Sequence, residues 1–115
     1  MMPMLTKITS TEQLQEVIDA SSERPVLLFK HSTTCPISAR ANREVLKYLE
    51  NQPNENVLYG LIHVIEERPV SLTAADLLAV KHESPQAILI KDGQAVWNTS
   101  HGGITADTLQ SILKK

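Results

Sequence analysis

The chain is poor in cysteine, in aromatic residues and in long apolar runs, and each shortage removes a class of protein. It holds one cysteine, Cys35, in 115 residues. No internal disulfide can form, which excludes a small disulfide-stapled secreted fold. The four histidines, His31, His63, His82 and His101, show neither H-x3-H nor HExxH spacing, so no metal site is expected. One Trp, two Tyr and one Phe are too few for a base-stacking surface. A net charge of -2 with no Lys/Arg run beyond two residues shows no nucleic-acid footprint. No apolar stretch approaches the ~20 residues that span a bilayer, so no membrane partner is expected. Met1-Met2-Pro3-Met4-Leu5 lacks the charged start and apolar core of a signal peptide. The expected location is cytoplasmic.

What remains is ordinary globular composition, 42% hydrophobic and 21% charged, in a length that suits one domain over residues 1–115. Ser10-Thr11-Glu12-Gln13 offers a capping box, followed by Leu14, Val17 and Ile18 at helical spacing. Val26 to Lys30 is a short apolar run suited to a strand buried on both faces. Pro36 fits the first helical position, which makes Cys35 the N-cap of a second helix ending at Asn51-Gln52-Pro53-Asn54. Val57 to Ile65 reads as the next strand, giving a βαβ unit with a parallel pair. Beyond Pro69, Thr73-Ala74-Ala75-Asp76 resembles a cap for a short helix ending near Lys81. Gln86–Ile90 and Ala95–Trp97 flank Asp92-Gly93, the pair favoured in a two-residue type I′ hairpin. His101-Gly102-Gly103 then turns into a last helix carrying Leu109, Ile112 and Leu113, with Lys114 and Lys115 at its negative end. This order predicts an α/β, thioredoxin-like, three-layer α/β/α fold with a mixed central sheet.

The expected position of Cys35 carries the chemistry. It follows a buried strand and opens a helix, at the sheet edge where α/β proteins build sites. First-turn N–H groups and the helix dipole favour a thiolate there, and the thiolate is the form that attacks a disulfide. The competing reading is a buried cysteine that fills space; a Cys-Pro helix start after Ser32-Thr33-Thr34 suits it poorly. Cys35-Pro36-Ile37-Ser38 is the C-x-x-C redox pattern with serine in the second place. A mixed disulfide on Cys35 therefore needs an external thiol. The Ser38 hydroxyl either bonds the sulfur from one turn along or only caps and solvates the helix start.

Thr34-Cys35-Pro36-Ile37-Ser38, preceded by His31-Ser32-Thr33, resembles the signature of the monothiol bacilliredoxins of the bacillithiol system. His82-Glu83-Ser84-Pro85-Gln86 and Ser100-His101 with Ile104-Thr105 resemble the same family. The Gly102-Gly103 pair departs from it, since a bulkier residue is expected there. The resemblance implies a thioredoxin-like protein that removes bacillithiol from S-bacillithiolated client proteins, and the sequence suggests a monomer. Cys35 would take the bacillithiol onto itself, and a second bacillithiol would release it as the disulfide. No tightly bound cofactor is implied, bacillithiol being the co-substrate. Thr34, Pro36, Ser38, Ser84 and Pro85 are the implied substrate-binding residues.

By the same resemblance Pro85 would be the cis-proline facing the nucleophile. Independently, a proline heading a strand donates no N–H, and the Ser84 backbone beside it is suited to an extended substrate. His31 is either a thiolate partner or a solvated loop residue, and Lys30 either adds positive charge near the sulfur or is a plain surface lysine. His63 is expected to be structural, while His82 and Glu83 are expected to shape the groove. The N–H groups of His101-Gly102-Gly103 could hold a ligand carboxylate or merely form a turn. Three other functions compete: a glutathione-dependent monothiol glutaredoxin, an iron–sulfur carrier, and a catalytically idle binding module on the same scaffold.

Overall fold

The computed structural model describes residues 5–114. Met1–Met4, read above for a leader, and Lys115, read as a helix-end charge, lie outside the described residues. Five strands form one mixed sheet in the order β1-β3-β2-β4-β5. They are β1 (Leu5–Lys7), β2 (Val26–His31), β3 (Leu58–His63), β4 (Gln86–Lys91) and β5 (Gln94–Ser100). β1, β3 and β2 run parallel, whereas β4 pairs antiparallel with both β2 and β5. The helices are α1 (Thr11–Ala20), α2 (Pro36–Leu49), α3 (Arg68–Leu78) and α4 (Ala106–Ile112).

Strand pleating divides the core. On β2, Val26 and Leu28 face Leu14, Ile18, Val70, Ala74 and Leu78 of α1 and α3. Leu27 and Phe29 face Ala41, Val45, Tyr48 and Leu109 of α2 and α4. Two apolar layers thus enclose the central strand, all six of whose residues are buried. That is why the sequence there shows a continuous apolar run instead of alternation. The three layers and the mixed sheet match expectation.

Local signals account for most element ends. Ser10 caps α1 by accepting from the Gln13 N–H at 3.1 Å, and the Gln13 side chain returns to the Thr9 N–H at 2.8 Å. The reciprocal bond thus falls one residue earlier than in the usual capping box. Asp92 and Gly93 both have positive φ, 50° and 76°, as a type I′ turn requires. That turn is tied to the end of α1, Gly93 N–H donating to Ser21 Oγ at 2.7 Å.

Three expectations need correction. β1 was not anticipated; it is three residues long and pairs only with β3, too short for a periodicity. α3 begins at Arg68, not after Thr73, and takes Pro69 into its first turn, where a missing N–H costs nothing. Thr73 Oγ1 does not cap but donates to the Pro69 carbonyl at 2.8 Å. Finally, His101–Gly103 is a separate 3-10 turn, and α4 starts at Ala106 with Thr105 as its cap.

A buried polar knot closes the end of the molecule where α2 stops. Tyr48 and Tyr59 hydroxyls lie 2.9 Å apart, Tyr59 O–H donates to the Asn54 carbonyl at 2.8 Å, and Asn54 N–H donates to Tyr48 at 3.0 Å. Asn54 Nδ2 also donates to the Leu113 carbonyl at 3.0 Å. Tyr59→Phe leaves the Asn54 carbonyl without this donor and the Tyr48 hydroxyl without its acceptor, which should lower unfolding free energy by about 1–3 kcal/mol in urea denaturation. Unchanged stability would contradict this account of the knot.

Candidate active site

The site is built where β2 leaves the sheet. After His31 the backbone turns through Ser32–Thr34, and Cys35 enters as the N-cap of α2 with extended geometry, φ -100° and ψ 125°. Its carbonyl accepts the first helical bond, from Ala39 N–H at 2.9 Å. The Cys35 side chain makes no capping bond, and Pro36 occupies the start of the helix as expected. Cys35 is free and half-buried. Thr34 is exposed beside it, its hydroxyl 3.3 Å from Ser32 Oγ.

Ser38 faces inward, which corrects both readings of its hydroxyl. It is fully buried and turned away from solvent. Its oxygen accepts from the Ser32 N–H at 2.8 Å and lies 2.8 Å from His31 Nδ1. His31 is buried, not solvated. It stacks on Phe29 at 5.6 Å and has His63, its register partner on β3, at 6.0 Å. Burial, reinforced by the nearby His63, lowers its pKa below the usual 6.5, with Glu66 opposing. The His31 ring is oriented by the same hydroxyl that anchors the nucleophile loop.

Lys30 departs furthest from expectation. It is completely buried and, by the pleat, points to the face opposite His31. Its Nζ donates to the Ser71 carbonyl at 3.0 Å and lies 3.2 Å from His82 Nδ1, with Ser71 Oγ 3.3 Å from the same ring nitrogen. Burial pulls the Lys30 pKa down to about 8. Burial also lowers that of His82, helped by the Lys30 and Arg68 charges and opposed by Glu83. Gln86, cross-strand partner of Lys30, reaches the same segment, donating to the Lys81 carbonyl at 3.0 Å. These buried groups fix the chain that leads to Ser84 and Pro85.

The Ser84–Pro85 bond is cis. Pro85 directly precedes the Gln86–Lys30 pair, which sets it at the sheet edge where His31 and the Cys35 loop emerge. Its carbonyl accepts from the His101 N–H at 3.0 Å, so the 3-10 turn is hooked to Pro85, and that turn packs against α2. Ser84 Oγ is the one buried side-chain polar atom without a partner among the described residues. A Cβ on Gly103 would collide with Thr99 Oγ1 unless that side chain moved, while a Cβ on Gly102 would meet nothing within 4 Å. The turn does not open α4. The Ala106 N–H at that helix start is taken by Glu44 Oε1 at 3.0 Å.

The structure thus gathers His31, Thr34, Cys35, Pro36 and Ser38 at one strand–helix junction and sets Ser84–Pro85 at the same edge. It sends Lys30 to the far face. Ser32, Ser71 and Gln86 were not singled out by sequence; each acts through backbone or cross-strand contacts that carry no local motif. No group of three or more metal-ligating side chains occurs among the described residues.

The chain and its fold are similar to known proteins. A family model described as monothiol bacilliredoxin BrxC matches residues 6–109. A solved structure described as a candidate oxidoreductase with a thioredoxin fold is 36% identical over 93% of this chain and 91% of that one, with a TM-score of 0.81. Thioredoxin from Fasciola hepatica is 15% identical over 95% and 96% of the two chains at a TM-score of 0.74. Thioredoxin from Malassezia sympodialis is 15% identical over 96% and 89% at 0.76. The fold is that of thioredoxin.

The two buried bases give opposite ends of one pH profile. Unfolded Lys30 titrates near the ordinary 10.5 and folded Lys30 near about 8. Between these values the unfolded chain holds more protons, so stability rises with pH. For His31, lowered from 6.5, stability is lost as pH falls below that value. Urea midpoints measured against pH should show both slopes. Lys30→Met should flatten the alkaline rise, and His31→Gln should reduce the acid loss, leaving the part due to His82; slopes unchanged in the variants would refute these assignments.

Proposed function

The chain belongs to the family of monothiol bacilliredoxins, thiol–disulfide oxidoreductases on a thioredoxin fold, and on that basis we propose that it removes bacillithiol from S-bacillithiolated client proteins. The observation that carries this reading is a half-buried cysteine at the N-cap of α2 with a buried, fully engaged serine where a second thiol would lie. The Cys35 thiolate attacks the bacillithiol sulfur of the client disulfide, and the client leaves as its thiolate. The bacillithiol is then bound to Cys35 as a mixed disulfide. A second bacillithiol thiolate attacks that bond, giving bacillithiol disulfide and restoring Cys35. Bacillithiol is the co-substrate, and no tightly bound cofactor enters either exchange.

Thr34 and Pro36, exposed on either side of the sulfur, and the Ser84–Pro85 edge are the substrate-facing residues in this reading. An extended client segment lying along that edge would have its sulfur oriented towards Cys35. Ser38 acts from inside as a positioning residue. The reading describes a cytoplasmic monomer; no helix among the described residues is long and apolar enough to cross a membrane.

Intact mass after mixing with bacillithiol disulfide or glutathione disulfide tests the proposal. An adduct should form with bacillithiol, be absent in Cys35→Ser, and be removed by free bacillithiol. Adduct formation with glutathione alone would transfer the activity to a glutaredoxin type. Ser38→Cys should make the adduct collapse into an internal disulfide, since residues one turn apart fall within the ~4.4–6.8 Å Cα range of such bonds. A persistent adduct in this variant would show that position 38 is not aimed at the sulfur's path.

A further inference from the structure

Beside the nucleophile lies a groove that the exchange chemistry at Cys35 does not explain. It has a volume of about 390 Å³ and is lined by Pro36, Ile37, Arg40 and Arg43 of α2, and by His101 and Gly102 of the 3-10 turn. It therefore begins one residue from Cys35 and follows one side of α2. At 1.5 Å per residue, Arg40 and Arg43 stand ~8–12 Å along the helix from the sulfur's residue.

The lining is of two kinds. Ile37 is 54% exposed, an unusual position for a large apolar side chain in the first turn of a helix, and it offers a contact for a carbon skeleton. Arg40 and Arg43 are exposed on the same side, and guanidinium groups are matched in shape to carboxylates. The nearest carboxylate along the helix, Glu44, is engaged at the start of α4 through the Ala106 N–H. His101 is held in the left-handed region, φ 53°, by its bond to Pro85, and Gly102 leaves its wall open.

We infer that this groove is the subsite for a thiol bearing carboxylates remote from its sulfur, with Arg40 and Arg43 as the residues that select it. The inference rests on the exchange reaction proposed above and identifies what distinguishes its small-molecule partner. A thiol joined to Cys35 in a mixed disulfide would extend past Pro36, rest its carbon frame on Ile37 and reach the arginines with its anionic end. Bacillithiol, with carboxylates away from its sulfur, meets that description; an uncharged thiol would react at Cys35 without using the groove.

The test compares rates of adduct formation on Cys35 with bacillithiol disulfide and with 2-hydroxyethyl disulfide, in wild type and in Arg40→Gln/Arg43→Gln. The ratio of the two rates should fall tenfold or more in the double variant, about what the loss of one or two charge-assisted hydrogen bonds produces. Raising the salt to ~1 M, where screening reaches within ~3 Å, should lower the wild-type ratio in the same direction. Circular dichroism will confirm that both proteins are folded. A ratio unchanged in the variant overturns the inference. Wild type that reacts equally with both disulfides also overturns it, while Cys35 exchange stands. Wild type that reacts with neither removes the proposed function itself.

Discussion

A single hydroxyl fixes the junction on which the site depends. Ser38 lies in the first turn of α2, yet its oxygen holds the Ser32 N–H, at the exit of β2, and the ring of His31, the strand's last residue. Strand end, loop and helix start are thereby joined through one buried atom. The loop of Thr33 and Thr34 has little other support, and its conformation sets the direction in which the Cys35 sulfur points. A buried polar group satisfied on every side specifies one arrangement, because each alternative leaves a donor or acceptor unpaired in the interior.

The pleat of β2 then distributes polar groups to both faces of the sheet. His31 belongs to the α2 face and Lys30, its neighbour, to the α1 and α3 face. One serves the nucleophile loop; the other, with Gln86 and Ser71, holds the segment before Pro85. The two walls of the site are thus braced from opposite sides of one strand. The 3-10 turn links them through the Pro85–His101 bond.

Much of this was legible in the residues. Pro36 announced the helix start and so the place of Cys35, and Asp92-Gly93 announced the hairpin. Both are local signals, set by what one ring or one missing Cβ permits. The cis bond before Pro85 was expected from the family resemblance, not from the strand head itself. The burial of Lys30 was not legible, because a lysine beside an apolar run looks the same whether its amine meets water or a carbonyl 41 residues away. The direction of Ser38 depended likewise on a strand that ends seven residues earlier. β1 carries too few residues for a pattern, and the start of α3 was hidden because proline was read as a boundary when it was a first-turn residue. Tertiary partners, not propensities, decided each of these.

Serine at position 38 also sets the kinetic order of the cycle. A second thiol one turn away would discharge a mixed disulfide at a unimolecular rate, with the very high effective concentration that fixed neighbours enjoy. With Ser38 there, and committed to His31 and Ser32, discharge in the proposed exchange would be second order. The lifetime of the adduct then scales inversely with the concentration of free thiol. The loaded fraction of the protein accordingly follows the state of the thiol pool, rising when that pool is depleted and falling as it recovers.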